Sequence, residues 1–528
     1  MGKLADLLRF DHNEEEFELL ETEQGEPGFF GGYPEEKKAK AAKPPPPASS
    51  SLKINESRLK ADFYAEINTD VLFRRFLLGG RIEALVVCIN GMASGQQIND
   101  FILRQGMRPG CMDGAKDELA LYAIEHVFAQ QEAKLSGDWG EIKTAILQGQ
   151  SIVMIEGENQ AVIMDTRGFE HRGVGTAENE KVVRGPQESF NESIRTNVTL
   201  LRRIIQTEDF VCEFQKAGAK NNISLVVAYR AGIVNQSLLD EVKKRLSKVD
   251  TRMIIGEGTI EQLTERHSIF PLPQVLCTER PDRTAAHIMQ GHVAVLVEGS
   301  PAANVMPVTL FTLMSTSEDA YMRRPLGMIL RVVRYLGAII SILLPGYFLA
   351  TCLHHPGMLS TEVLTTIIAS RQMVFLPFGA EVLFLLWVFQ LLREAGIRVP
   401  GSAGQAIGII GGLILGQAAV SANMVSTVVL IVVALSGLGT FTIPDYSTQI
   451  SAGYFRLGLV FAAWLSGLLG FALGVLIIGG WIASQKSYGV PFLAPVSPKT
   501  YTDRPGILRG RVTSHSRATD YTNTREDV

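Results

Sequence analysis

Before Arg334 the sequence has no uncharged stretch long enough to span a bilayer, and after it several follow. The 46% apolar content is therefore an average over a soluble half and a membrane half, which excludes a chain of uniform character. Only five cysteines occur (Cys88, Cys111, Cys212, Cys277, Cys352), without paired ligand spacing, so they read as buried reduced thiols rather than a zinc centre or disulfide frame. Cys352, His354 and His355 lack a nearby fourth ligand, so no metal is expected. The absence of a Walker-type phosphate loop leaves ATP coupling without support. With a net charge of −4 and no basic face interleaved with aromatics, no nucleic acid is expected as a partner. No nucleophile–base–acid set emerges, so neither enzymatic activity nor a cofactor is expected. No apolar segment follows a basic start at the N-terminus, so the expectation is no cleaved secretion signal and a soluble part held in the cytoplasm.

What is present divides the 528 residues into five stretches. Residues 1–60 read as a charged, proline-rich disordered arm: an acidic run from Glu14 to Glu26 gives way to Lys37–Lys43 and to Pro44–Pro47. Residues 61–183 and 184–322 read as two related cytoplasmic α/β subdomains. In the first, Ile82–Ile89 and Ser151–Glu156 have strand character, and Asp117–Ala133 reads as a helix. Asp138 caps a further helix that reaches Leu147. About 141 residues on, strand Leu225–Tyr229, helix Leu238–Leu246 and strand Val293–Val297 repeat the pattern. The stretch Ala145–Gly157 also matches His287–Gly299. Because strands alternate with helices, some parallel pairing is expected.

Residues 323–485 read as an α-helical transmembrane domain of four to six spans, and 486–528 as a basic tail. The uncharged runs are Tyr335–Leu353, Gln372–Leu392 (broken only by Glu381), Val399–Pro444 (enough for two spans joined near Asn423) and Leu457–Gln485. Arg323, Arg324, Arg331 and Arg334 place the start of the first span inside. Five spans leave the basic tail outside. An inside tail requires an even count, met if Met358–Ser370 adds a helix or if one run does not cross.

Gly404, Gly408, Gly412 and Gly416 recur every four residues, a pattern that lets another helix approach at backbone distance. Gln405 and Gln417 lie about 120° apart around a helix, so they either line an aqueous path or bond between helices. Asn423 is a third polar candidate. Glu381 either faces a pore or partner, as an intramembrane carboxylate does by default, or sits where its helix starts after Pro377. Arg393, Glu394 and Arg398 either anchor the end of that span or couple the soluble and membrane parts.

Ordered motifs carry a resemblance across about residues 70–500. They are Arg184–Asn197, Thr278–Asp282 (Thr-Glu-Arg-Pro-Asp), Ser317–Tyr321 (Ser-Glu-Asp-Ala-Tyr), Leu391–Arg398 and Gly404–Val420. In these the chain resembles the A subunits of the GerA family of spore germinant receptors. The resemblance implies a multi-pass protein of the spore inner membrane, acting with a transporter-like B subunit that senses the nutrient and a C-subunit lipoprotein. It also implies self-association into a ring whose helices release monovalent cations. This chain keeps Glu381 but has Leu386 and Gln390 where the family usually carries two further glutamates. A secondary transporter with Glu381 as coupling carboxylate, or a non-conducting scaffold, are the competing readings.

Overall fold

A computed structural model of the chain describes residues 46–115, 118–168, 175, 177, 180–249, 251–265, 271–398, 416–497 and 520–524. The first unit opens with helix α1 (Leu52–Asp62). Its sheet is built from β1 (Val71–Leu78), β2 (Ile82–Ile89), β3 (Ala133–Ser136), β4 (Ser151–Ile155) and β5 (Ala161–Met164), in the order β1-β2-β4-β5-β3. A helical stretch at 95–106, α2 (Leu119–His126) and α3 (Trp139–Leu147) cover it. The second unit repeats the plan. After α4 (Ile194–Ile204) come β6 (Phe210–Ala217), β7 (Ile223–Arg230), β8 (Leu276–Thr278), β9 (Val293–Val297) and β10 (Ala303–Met306), ordered β6-β7-β9-β10-β8. Its helices are α5 (Gln236–Ser247), α6 (Glu257–Thr264) and α7 (Pro281–Ile288).

Every strand pairing within the two described sheets is antiparallel, which corrects the expectation of parallel pairing. The reason lies in burial. β4 and β9 are buried along their whole length because helices cover both faces of each sheet, and double coverage yields the continuous apolar run that usually marks parallel strands. Asp138 does cap α3, accepting from the Gly140 amide at 2.9 Å. The helix expected over Asp117–Ala133 is shorter: it ends at His126, and Ala133 already belongs to β3.

The repeat reaches further toward the N-terminus than its hydrophobic pattern. Asn55 braces the Ser49 backbone through bonds of 2.9 and 2.6 Å, and Asn197 braces Asn191 through bonds of 2.8 and 2.6 Å. Ser51 and Ser193 then hold the N-cap position of α1 and α4. Residues expected to tether the chain through residue 60 are therefore packed from Ala48 onward, with Leu52, Leu59 and Phe63 in the core beneath the first sheet. A Pro/Ser-rich lead-in hid a helix whose apolar positions are few but deep.

The units meet through a buried ion pair. Arg202 of α4 binds both oxygens of Asp70 at 2.8 and 3.0 Å, and Asn68 accepts from the Cys212 amide of β6 at 3.2 Å. Beyond β10 lie the short helices α8 (Leu310–Leu313) and α9 (Glu318–Tyr321). The helix bundle follows: α10 (Arg324–His354), α11 (Thr361–Arg371), α12 (Phe378–Arg398), α13 (Thr427–Phe441) and α14 (Tyr446–Ser484). Two of these, α10 and α14, are long and apolar enough to cross a membrane.

α14 is a hairpin. At Ser466 (φ −134°) and Gly467 (φ +61°, ψ −141°) the backbone leaves the helical region, a conformation open to glycine and strained for other residues. The two arms then run antiparallel: Gly474 lies against Leu459 and Ala462, and the Phe455 and Trp481 rings meet edge to face at 6.5 Å. The run Leu457–Gln485, expected to be one span, is reversed here, because an uncharged Ser-Gly pair leaves the hydropathy of the run unbroken.

Candidate functional site

Three of the motif stretches, distant in sequence, come together where the second unit meets the bundle. Arg280 at the start of α7 forks onto Asp282 at 3.0 and 2.8 Å and donates to the Pro186 carbonyl at 2.9 Å. Tyr321 of α9 donates to Asp282 at 2.7 Å, and its ring packs on Gly185, where a Cβ would come within 2.7 Å. Arg283 pairs with Glu180 and donates to the carbonyls of Thr312 and Ser315 at 3.2 and 2.8 Å, holding the turn that leads out of α8.

From that turn the chain passes to Asp319, 2% exposed in α9. Its carboxylate takes Arg334 through two bonds of 2.7 Å and Arg331 at 3.1 Å, both one helical face of α10. Burial by itself raises the Asp319 pKa. The two guanidiniums outweigh it and hold the carboxyl below its usual range. Arg323, Arg324, Arg331 and Arg334 were read only as a topology signal, but Arg331 and Arg334 are the link between the α/β region and the first long helix. No pattern in one sequence marks Asp319 as their partner, because Ser317–Tyr321 is an ordinary acidic helix start.

A second contact lies beside it. Ser451, in the first arm of α14, donates to the Pro271 carbonyl of the second unit. Asp445 caps the arm, accepting from the Thr448 amide at 2.7 Å. Glu261 of α6 lies half-buried nearby, and desolvation with the charges of Glu265, Asp445 and Glu257 raises its pKa to about 7. A carboxyl raised in the folded state favours folding at low pH, and that advantage is lost as pH climbs from about 4.5 to 7. Glu261→Gln is therefore expected to stabilise the full chain by about 1 kcal/mol at pH 8 and not at pH 4. Melting curves at the two pH values check it; an equal gain at both would show that Glu261 does not titrate in this window.

After α14 the chain returns to the same unit. Ser487 donates to Gln274 at 2.7 Å and accepts from the Val308 amide at 2.9 Å, and Leu310 donates to Phe492 at 2.9 Å. Tyr521 reaches His292 at 3.4 Å. The basic tail, where described, thus packs on the α/β region.

At the far end of the bundle Glu381 is fully buried in the first turn of α12. One oxygen accepts from the amide and hydroxyl of Ser426, the N-cap of α13, at 2.6 and 2.7 Å. The other accepts from Arg371 at 3.0 Å. Of the two sequence readings the helix-start position is the one observed, and the carboxylate ties α11, α12 and α13 together. Gln417 and Asn423 lie exposed near this end, Asn423 with φ +54°, and neither faces Glu381's bonds. Arg393 is half-buried and Glu394 exposed toward the other end of α12. Gly404, Gln405, Gly408 and Gly412 lie outside the described residues, as does the Arg398 side chain. Among the described residues a Cβ at Gly416 meets the Leu430 methyls at 3.7 and 4.0 Å, an ordinary contact. Backbones approach closely, among the described residues, at Gly439 of α13, where a Cβ would stand 2.5 Å from the Gly337 carbonyl of α10. Leu386, at a position where a glutamate is usual in the resemblance, is buried with Leu349 and Val429, and Gln390 is half-buried.

A polar layer crosses the bundle between these ends, and the sequence reading passed over it. Arg456, 3% exposed, donates to Ser436 and Thr440 at 3.0 and 3.2 Å, and Ser341 bonds Thr440 at 2.6 Å. The Arg456 Nε has no partner, and no carboxylate pairs with it among the described residues. Arg456 bounds the last uncharged run in the sequence, and the first arm of the hairpin buries it.

The sequence model described as Bacillus/Clostridium GerA spore germination protein matches residues 57–520. The chain belongs to the GerA family. Among its relatives is spore germination protein GerLA of Bacillus cereus, 34% identical over 435 residues, 82% of this chain and 88% of that protein. Another is the uncharacterized membrane protein YfkQ of Bacillus subtilis (strain 168), 30% identical over 432 residues, 81% of this chain and 83% of that one. The N-terminal domain of the A subunit of the Bacillus megaterium spore germinant receptor GerK3, known from a crystal structure, is 26% identical. It aligns with a TM-score of 0.40 over 49% of this chain and 95% of that one. The GerA-family membership and the relatives' names make this chain a spore germination protein by kinship.

Proposed function

We propose that this chain is the A-type subunit of a nutrient-gated germinant receptor in the spore inner membrane. It assembles as a ring with a transporter-like B subunit and a C-subunit lipoprotein, and releases monovalent cations when triggered. The observation that carries the reading is the Asp319–Arg331–Arg334 lock: a rearrangement of the second α/β unit pulls directly on the start of α10. The return of residues 486–497 to that unit supports an even number of crossings, with the α/β region and the tail on the cytoplasmic side. The hairpin in α14 supplies the crossing that five spans lack.

In this reading Gly404, Gly408, Gly412 and Gly416 pack helices within or between copies, and Gln405, Gln417 and Asn423 belong to the conducting path. Arg393, Glu394 and Arg398 carry motion from α12, and Glu381 sets the far end of the gate. The test is nutrient-triggered potassium release from spores with and without the gene, and with Gly412→Leu or Glu381→Gln at verified protein level. Loss of release in the deletion and in Gly412→Leu, with altered release in Glu381→Gln, is the expected result. Unchanged release in the deletion would overturn the channel reading for that nutrient. Saturable uptake would mark a transporter, and no flux of either kind a scaffold.

A further inference from the structure

Between α10, the two arms of α14 and the short helix α8 lies a cavity of about 420 Å3. Its walls are apolar almost throughout: Ile339 and Ile342 from α10, Leu459 and Ile478 from the two arms, Leu310 from α8. Gly479 lines the cavity at an exposed position, and a Cβ built there meets nothing within 4 Å. The cavity is partly open: Ile339 in its wall is 52% exposed, and Leu336, Leu473 and Leu476 on the same two helices are exposed as well.

Water finds few polar partners on these walls, where Thr448 and Tyr335 are the lining side chains that carry a hydroxyl, and a nearly apolar space stays dry or takes an apolar guest. A helix of a second copy is about 10 Å across and cannot enter a cavity of this size, although it can lie over the mouth. An unbranched alkyl chain can enter. We propose that the cavity holds an acyl chain of a membrane lipid, inserted through the opening beside Ile339. This rests on the reading that the bundle is embedded in a bilayer. The guest would touch Leu310 and Phe311 of α8, the segment that continues through Met314 to Asp319, so it would sit directly behind the lock between the second unit and α10.

The experiment uses the full chain in lipid nanodiscs doped with phosphatidylglycerol that carries a photoactivatable diazirine in one acyl chain, with the adducts mapped by mass spectrometry. Adducts concentrated on residues 335–343 and 475–482 are expected. Gly479→Leu, whose Cβ starts in open space and whose side chain adds bulk at the cavity wall, is expected to abolish them while adducts elsewhere on the outer face persist. Adducts spread evenly along the outer face, or unaffected by Gly479→Leu, would overturn the proposal. So would Ile339→Cys copies that disulfide-link to one another while shielding this face from the probe, since the occupant would then be a second copy. A chain that fails to enter nanodiscs and takes no adduct anywhere would instead defeat the membrane reading on which the proposal rests.

Discussion

Asp319→Ala is expected to cost about 3–5 kcal/mol and to separate the α/β region from the first long helix in function. The substitution leaves Arg331 and Arg334, which are 8% and 13% exposed at the side chain, without the carboxylate that both now share. Their Coulomb attraction to Asp319 is what repays their desolvation, so removing only the acid exposes the full penalty. Thermal unfolding of the purified chain measures the stability part, and triggered potassium release measures the coupling. Removing all three charges together, as Asp319→Leu with Arg331→Met and Arg334→Leu, is expected to recover most of the stability, because a buried pair can be replaced by packed apolar groups at little cost. Release should stay impaired in that triple variant if the ion pairs transmit the signal. Recovery of both would make the lock a structural brace alone, and an undiminished single variant would remove it from the account.

Gly439→Leu has the second large effect: a loss of about 3 kcal/mol or more, with failure of the bundle to hold its native packing. A Cβ at Gly439 would stand 2.5 Å from the Gly337 carbonyl and 3.1 Å from the Ser341 amide. Both obstacles are backbone, so α10 and α13 must move apart, and the Ser341–Thr440 bond of 2.6 Å goes with them. Thr440, which also accepts from the Arg456 guanidinium, then loses its bond to α10, so the polar layer in the bundle interior is disrupted. Gly416→Ala is the control. Among the described residues its new methyl meets ordinary contacts, and alanine is the better helix former by up to about 1 kcal/mol, so stability should hold or rise. Protease resistance and melting temperature of the two variants distinguish these outcomes. Equal tolerance at both positions would sink the claim that Gly439 marks the tight helix crossing.

Hydrophobic patterning exposed what depends on local sequence. The runs Ile82–Ile89 and Val293–Val297 are strands, and the α3 and α5 faces are helical, because burial on a regular element imposes a period that composition carries. β1 escaped this reading: Arg74 and Arg75 interrupt Val71–Leu78, which an edge strand tolerates since part of it faces solvent. The bracing of Ser49 by Asn55 was equally hidden, although its copy at Asn191 and Asn197 would have extended the repeat to residue 49 had polar positions been aligned as well.

Within the bundle the sequence marked Glu381 by rarity, since a lone carboxylate in an apolar run is conspicuous. Its partners Ser426 and Arg371 are ordinary residues 45 and 10 positions away, and only folding selects them. The same holds for Arg456 and for Asp319. The Ser466–Gly467 reversal also needed coordinates, because any small pair permits a turn and only the packing of Gly474 on Leu459 shows that one is taken.

By itself, then, the sequence determined the division into a charged α/β half and an apolar helical half, the duplication within the first, and the GerA kinship. All three rest on composition and on residue order that survive without contacts. Tertiary structure decided the antiparallel pairing, the close approach of α10 and α13 at Gly439, the reversal within α14 and the partners of Asp319 and Glu381. Each of these is set by pairs distant in the chain, where burial makes a charge or a glycine costly or necessary according to what stands opposite it.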